Sequence, residues 1–242
     1  MRSWRHISGA MARPLPDPKD VEVWIFDLDN TLYPAHCDLF AQVSTRMGEY
    51  IADFLAIDVA AAKVLQKDYF RRHGTTLRGL MLEHAMDPAP FLDYVHDIDL
   101  SVVPVDGRLD RALSALPGRK LIFTNGNDWH AQRVTKHLGI DHHFDAVFDI
   151  AASDYVPKPD PGPYAKLVER HDIRPEATVM IEDIARNLAP AAALGMTTVW
   201  VPGNAEWSTE GMDDDHVHHV ADDLADWLAG LLAPVRPGIE FE

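Results

Sequence analysis

From residue 105 onward the sequence alternates between short apolar runs and longer amphipathic segments, and this rhythm constrains the fold most. Apolar runs that predict strands lie at residues 120–124, 146–150, 178–181 and 197–201, and helical patterns lie at 108–116, 128–138, 162–171 and 184–194. Strands that alternate with helices of this length form right-handed crossovers and pair in a parallel sheet. The pattern therefore predicts an α/β domain with a parallel central sheet.

A further apolar strand is predicted earlier, at residues 21–28, but a helical stretch follows it instead of the next strand. Apolar residues recur at helix spacing from residue 38 to about residue 97. Within this stretch Asp58 is placed to cap a second helix that ends near Gly74, and Asp87 precedes a proline as at many helix starts. An all-helical insertion is therefore predicted after the first strand.

These patterns divide the chain into three predicted parts. They are an N-terminal tail at residues 1–20, an α/β core at 21–34 and 105–242, and a helical insertion at 35–104. A last amphipathic helix is predicted at residues 220–232, within the core.

The charge of the chain limits its partners. It has 38 acidic and 22 basic residues and a net charge of −16, which repels nucleic acid and anionic membranes. No apolar run reaches the roughly 20 residues that a membrane-spanning helix needs. The single cysteine suits a reducing compartment, so a cytoplasmic protein is expected. A small anionic substrate stays open, because a bound metal ion and one lysine can dominate the local field.

Two aspartates stand at the end of the first predicted strand. Asp27 and Asp29 are two residues apart, so their side chains point to the same side. Ligands bind at the carboxyl ends of strands in open parallel sheets, and two close carboxylates favour a cation such as Mg²⁺. The alternative is that both residues only end the strand and begin a turn.

Polar residues also follow later strands. Thr124, Asn125 and Gly126 offer a hydroxyl and backbone N–H groups before a helix, where anionic oxygens bind, although all three are also common turn or cap residues. Lys158 lies in a loop stiffened by prolines and can neutralise a phosphoryl oxygen there. An isolated surface lysine would instead be solvated.

A second acidic pair, Glu182 and Asp183, ends the strand at 178–181, with Asn187 close behind. Helix capping by Asp183 is the alternative interpretation. The combination of Asp-x-Asp-x-Thr at 27–31, Thr124, Lys158 and this acidic pair resembles the haloacid dehalogenase superfamily of phosphohydrolases. The resemblance implies a Rossmann-like three-layer α/β sandwich in which the helical insertion is a cap domain.

The resemblance also implies what each residue does. Asp27 would be the nucleophile, Asp29 the general acid and base, and Thr124, Asn125, Gly126 and Lys158 the groups that hold the phosphoryl oxygens. Mg²⁺ would be bound by the carboxylates of Asp27 and Asp183 and by the backbone carbonyl of Asp29. Glu182 would act through a bound water, and Asn187 would be a supporting residue of the site. Dehalogenases of this superfamily lack the second carboxylate, so Asp29 favours a phosphatase acting on a small phosphomonoester.

Four segments are similar to pyrimidine 5′-nucleotidases of the yeast type: FDLDNTLYP, HGTTLRGL, IFTNGNDW and FDAVFDI. The second lies in the predicted cap, where loops choose the leaving group. Thr75, Thr76 and Arg78 are expected to approach the substrate, with Tyr33 available to stack on a base. The second acidic pair departs from these relatives, because Glu182 and Asp183 are followed by Ile184 where they more often have Asp-Asp-Ser.

Pyrimidine nucleoside 5′-monophosphates are the substrates that this closer resemblance implies. A sugar-phosphate phosphatase, a phosphomutase of the same superfamily and a non-catalytic phosphate-binding module stay open as alternatives. The sequence does not indicate an oligomeric state.

Overall fold

Parallel strands form the centre of the fold in this computed structural model, which describes residues 13–203 and 208–233. Within these residues the sheet has six strands in the order β3-β2-β1-β4-β5-β6. The strands are β1 (Val23–Phe26), β2 (Arg119–Phe123), β3 (Ala146–Phe148), β4 (Thr178–Glu182), β5 (Thr197–Trp200) and β6 (His219–Val220). Because all neighbouring pairs are parallel, the carboxyl ends of β1, β2 and β4 meet at one edge.

The strands bury both faces, as successive side chains alternate between two apolar cores. Trp24 and Phe26 belong to one core, while Val23 and Ile25 belong to the other. The first core is covered by α5 (Gly107–Ala115), α6 (Asp128–Leu138) and α9 (Leu224–Leu232), and the second by α7 (Pro161–His171) and α8 (Ala189–Ala193). The predicted three-layer Rossmann-like sandwich with a parallel sheet is confirmed.

The chain between β1 and α5 forms four α-helices, and all of them lie inside the stretch predicted as a helical cap. They are α1 (Leu39–Leu55), α2 (Val59–His73), α3 (Thr76–His84) and α4 (Pro88–Val95). Asp58 and Asp87 cap α2 and α4 as expected, because each carboxylate accepts a backbone N–H bond from the first turn. Gly74 ends α2 with φ of +83°, a backbone conformation that favours glycine.

Gly79, which the sequence suggests as a helix-end or turn residue, lies instead inside α3. A Cβ atom there would be 2.4 Å from Cγ of Tyr69, so α2 and α3 approach closely only because this position has no side chain. From the sequence, Tyr69 is available to stack on a base, although its helical spacing favours packing within the cap. Tyr69 is buried, which agrees with packing within the cap.

The prediction of one helix at residues 184–194 is wrong. A 3₁₀ turn at Ala185–Leu188 comes first, and α8 covers only Ala189–Ala193. Pro190 explains the break, because its missing N–H and its ring exclude it from a helix interior but are tolerated in the first turn.

The last predicted helix begins later than residue 220. His219 and Val220 pair with β5 as the edge strand β6, and α9 begins only after Asp223, whose carboxylate accepts a hydrogen bond from the Asp226 N–H. The apolar periodicity assigns Val220 to the helix, but in the structure this residue pairs with the edge of the sheet instead.

Part of the predicted N-terminal tail is attached to the core. The Arg13 guanidinium donates hydrogen bonds to the carbonyl oxygens of Gly195 at 2.7 Å and Met196 at 3.1 Å. Residues 1–12 of that tail lie outside the described residues. Among the described helices, none has the length and apolar character needed to span a membrane.

Candidate active site

Acidic and polar side chains from three adjacent strands meet at the carboxyl edge of the sheet. Asp27 follows β1, Thr124 follows β2, and Glu182 is the last residue of β4 with Asp183 next to it. All four are buried. The topology therefore gathers, at one place, residues that lie far apart in the sequence.

Lys158 lies at the centre of this group. Its ammonium donates to Asp27 Oδ1 and to Glu182 Oε2, both at 2.7 Å, and to the carbonyl oxygen of Phe123 at 2.8 Å. The Asn125 amide oxygen accepts a hydrogen bond from the Lys158 backbone N–H at 2.9 Å. Asn125 thus fixes the loop that carries the lysine, in addition to standing beside Thr124.

Burial dominates the pKa shifts of this group, and an excess of negative charge adds to them. Burial, reinforced by Glu182, raises the pKa of Asp27 to about 7 against the opposing effect of Lys158. Burial, reinforced by Glu182 and Asp27, raises the pKa of Asp183 well above its usual value. Although burial alone would lower it, the pKa of Lys158 is raised by the two carboxylates. The positive charge of one ammonium is therefore set against three carboxyl groups.

A divalent cation would balance the excess of negative charge in this group. The carboxylate oxygens of Asp27, Glu182 and Asp183 lie within 4.8 Å of one another, and oxygen donors of this kind suit Mg²⁺. Buried carboxylates that repel one another are costly to keep ionised without a cation. The residues present thus match the group that the sequence motifs imply.

Three polar residues lie at the edges of this cluster. The Asn187 amide donates to Glu182 Oε1 at 2.6 Å, so that both oxygens of Glu182 have partners. The Thr124 hydroxyl oxygen accepts a hydrogen bond from the Gly126 N–H at 2.9 Å. The Thr31 hydroxyl donates to Asp27 Oδ2 at 3.2 Å. Each predicted core residue therefore lies in one connected network or directly beside it.

Asp29 has different partners from Asp27. The Tyr33 hydroxyl donates to its Oδ1 at 2.6 Å and the His130 Nε2–H donates to the same oxygen at 2.8 Å. Burial alone would raise the pKa of Asp29, but His130 and Tyr33 outweigh it and hold the pKa at about 2. Asp29 is therefore a carboxylate when no substrate is bound.

A cavity of about 710 Å³ opens above these residues, between the core and the cap. Asp27, Asp29, Thr124 and Lys158 form its floor, and apolar side chains from the cap form much of its wall, including Phe40, Val43, Met47, Phe70, Phe91 and Leu92. The volume is in the range of small-molecule sites.

The predicted cap residues divide into two groups. Thr75 and Thr76 line the cavity, whereas Arg78 and Tyr33 do not. Thr75 caps α3, because its side-chain oxygen accepts a hydrogen bond from the Arg78 backbone N–H. The expectation that Tyr33 stacks on a base is wrong, since its ring is 2% exposed and its hydroxyl is used by Asp29.

His130 and His96 also lie at the site. The position of His130 soon after the Thr124 motif leaves a role at the rim of the site and an ordinary surface position open, and the structure places it in the first turn of α6 as a buried residue. The sequence patterns do not single out His96. His96 follows α4 of the cap and lines the cavity.

Comparison with known proteins agrees with the geometry. The family pattern of haloacid dehalogenase-like hydrolases matches residues 21–195. Phosphate metabolism protein 8 of Saccharomyces cerevisiae is 28% identical over 201 residues, which cover 75% of this chain and 62% of that protein. The chain thus spans less than two thirds of the length of this curated relative.

Solved structures share the architecture. A HAD phosphatase from Thermococcus onnurineus matches with a TM-score of 0.60 at 18% identity, over 87% of this chain and 98% of that one. The putative HAD-hydrolase YfnB of Bacillus subtilis, bound to magnesium, matches at 0.55 and 16% identity, over 87% and 98%. An L-2-haloacid dehalogenase from Xanthobacter autotrophicus matches at 0.53 and 15%, over 86% and 97%. At these identities the likeness shows a common fold.

Proposed function

This chain belongs to the haloacid dehalogenase-like hydrolases, and on that premise we propose that it is a Mg²⁺-dependent phosphatase that forms an aspartyl phosphate on Asp27. The observation that carries the proposal is the pairing of Asp27 with Lys158 beside two further carboxylates. Asp29 supports phosphatase over dehalogenase chemistry, because a departing alkoxide needs a proton and a departing halide does not.

The reaction divides into two steps. A carboxylate oxygen of Asp27 attacks phosphorus, the bond from phosphorus to the leaving oxygen breaks, and that oxygen takes a proton from Asp29. Asp29 then accepts a proton from water, whose oxygen bonds to phosphorus while the bond to Asp27 breaks. Inorganic phosphate leaves, Asp27 is again a carboxylate, and Asp29 again carries the proton with which the first step began.

The protonation of Asp29 follows from charge. Its pKa is about 2 without substrate, so it takes up a proton, from solvent or from a substrate monoanion, before the first step. A bound phosphoryl group adds negative charge nearby, which raises the pKa of a neighbouring carboxyl group. Binding of the substrate therefore favours the protonated form that the first step uses.

Positioning and charge neutralisation supply most of the catalysis in phosphoryl transfer. Lys158 and the N–H groups that follow Thr124 would hold the phosphoryl oxygens, and the fixed loop keeps the lysine in place. Asp27, Asp183 and the backbone carbonyl of Asp29 would hold the metal, with Glu182 acting through a water. When bound, Mg²⁺ neutralises charge on the phosphoryl oxygens and on the carboxylates.

Mg²⁺ is expected to raise the melting temperature, more at pH 8 than at pH 6. The pKa of Asp27 is about 7 in the folded protein, against an ordinary value of 3.8. Without metal, stability therefore falls as the pH rises toward 7, because the folded carboxyl group must lose its proton. Bound Mg²⁺ removes this penalty and competes with the proton.

Thermal melts in EDTA and in saturating Mg²⁺ at both pH values measure this effect. Asp183→Asn, which removes one proposed ligand, should reduce the shift at pH 8. An equal shift at both pH values, or one that Asp183→Asn leaves unchanged, would contradict Mg²⁺ binding at this cluster.

The cavity supports a leaving group with an apolar face. Phe40, Phe70 and Phe91 line it on the cap side, and aromatic side chains of this kind pack against a flat base. Together with the resemblance of residues 73–80 to pyrimidine 5′-nucleotidases, this favours pyrimidine nucleoside 5′-monophosphates over sugar phosphates.

Phosphate release from a panel of substrates tests the proposal. UMP, CMP, dUMP, AMP, GMP and glucose phosphates are compared in Mg²⁺ and in EDTA, and we expect Mg²⁺-dependent release with UMP or CMP preferred. Activity confined to sugar phosphates would overturn the nucleotidase assignment, and interconversion of glucose phosphates would indicate a mutase. Binding without release of phosphate from any substrate would overturn the enzymatic function.

A further inference from the structure

The two hydrogen bonds to Asp29 end on the same atom. Both Tyr33 and His130 donate to Oδ1, at 2.6 and 2.8 Å, and neither contacts Oδ2. A carboxylate held through one oxygen keeps a fixed plane and leaves its other oxygen for chemistry. Asp29 lines the cavity beside Asp27.

The surroundings of His130 are costly for a residue that only fills space. Its ring is fully buried, and its Nδ1 has no hydrogen-bond partner among the described residues. A buried polar atom without a partner costs about 1–3 kcal/mol, and an apolar side chain of similar size would avoid that cost. The bond from Nε2 to Asp29 is what an imidazole supplies here.

The cap holds the imidazole from its other side. The His96 ring stacks on the His130 ring with centroids 4.4 Å apart and planes 11° from parallel. From the next turn of α6, the Arg133 guanidinium donates to the carbonyl oxygens of His96 and Ile98. One helix of the core therefore contacts both Asp29 and the chain that leaves the cap.

We propose that His130, together with Tyr33, is a positioning residue that fixes the plane of Asp29 so that Oδ2 meets the leaving oxygen and later the attacking water. This inference rests on the proposed phosphatase function. His96 keeps the imidazole in place, so that the arrangement of Asp29 depends on the position of the cap.

The dependence on the leaving group tests this role. The value of kcat/KM covers the steps up to departure of the leaving group, and p-nitrophenolate departs without a proton. In His130→Ala we expect kcat/KM for UMP, or for glucose 6-phosphate if UMP is not a substrate, to fall about 10- to 100-fold. For p-nitrophenyl phosphate it should fall less than about threefold, because that step needs no general acid.

The second step gives an independent readout. Hydrolysis of the aspartyl phosphate needs Asp29 to activate water, so His130→Ala should release p-nitrophenol in a burst of about one equivalent per site before a slower steady state. His130→Gln, whose amide N–H reaches the position of Nε2, should recover most of the lost kcat/KM. Asp29→Asn should show the same dependence on the leaving group with a larger loss.

His137→Gln is the matched control, because His137 lies on the same helix and bonds to the carbonyl oxygen of Val103. This variant should leave kcat/KM for both substrates unchanged. Equal losses for both substrates in His130→Ala and His130→Gln, with native melting curves, would overturn the positioning role. A wild-type protein that releases phosphate from none of these substrates in Mg²⁺ would instead overturn the proposed function, and this inference with it.

Discussion

Asp27→Asn is expected to abolish phosphate release, lowering kcat by about 10⁴-fold or more, the scale on which loss of a nucleophile acts. An amide oxygen carries no charge and is a poor nucleophile toward phosphorus. The shape of the side chain is nearly unchanged, and Lys158 keeps its bond to Glu182. Phosphate release from the best substrate at saturating Mg²⁺ measures the loss.

Folding of the variant separates chemistry from stability. Burial and Glu182 raise the pKa of Asp27, which means that the folded protein holds this charge at a cost. In EDTA at pH 8, Asp27→Asn should therefore melt no lower than the wild type. Asp154→Asn, at an exposed position remote from the cavity, should keep full activity. A folded Asp27→Asn protein with more than about a hundredth of wild-type activity would exclude Asp27 as the nucleophile.

The sequence predicts the floor of this site well because parallel strands impose the geometry. A residue just past an apolar strand must lie at the carboxyl edge of the sheet, whatever the connecting segments do. Asp27, Thr124 and Glu182 could therefore be brought together before their contacts were known. The helical insertion could also be predicted from the sequence, since its capping residues and apolar periodicity are local signals.

Contacts set by side-chain direction could not be predicted in the same way. Tyr33 lies in the turn after β1, and only the folded turn shows that its hydroxyl reaches Asp29 rather than the cavity. His130 has the periodicity of any buried helix residue, so its bond to Asp29 depends on how α6 packs against the sheet. Residues that act through another residue leave a weak pattern in a single sequence.

Lys158→Met is expected to lower the free energy of unfolding of the metal-free protein by about 3–5 kcal/mol at pH 8, the cost of breaking a buried ion pair on one side. Methionine has a similar length but donates no hydrogen bond. Asp27 and Glu182 would each lose a bond of 2.7 Å to the ammonium and remain buried beside Asp183. Denaturant unfolding in EDTA measures the change.

The sign of the pH dependence identifies the cause. Without the ammonium, the pKa of Asp27, which burial already raises, rises further above its value in the unfolded chain. A folded-state pKa above the unfolded value gives stability that is present at low pH and lost as the pH rises through the folded-state pKa. The difference between Lys158→Met and the wild type should therefore shrink from pH 8 to pH 5.5, and Mg²⁺ should reduce it at pH 8.

Lys166→Met provides the matched control, since Lys166, which lies on α7, makes an exposed ion pair with Asp154. Exposed pairs contribute about 0–1 kcal/mol, so this variant should unfold like the wild type at both pH values. If Lys158→Met is as stable as Lys166→Met in EDTA at pH 8, then the ammonium of Lys158 does not stabilise the buried carboxylates of the site. A loss of stability that is independent of pH would point to lost packing, because an apolar defect does not titrate.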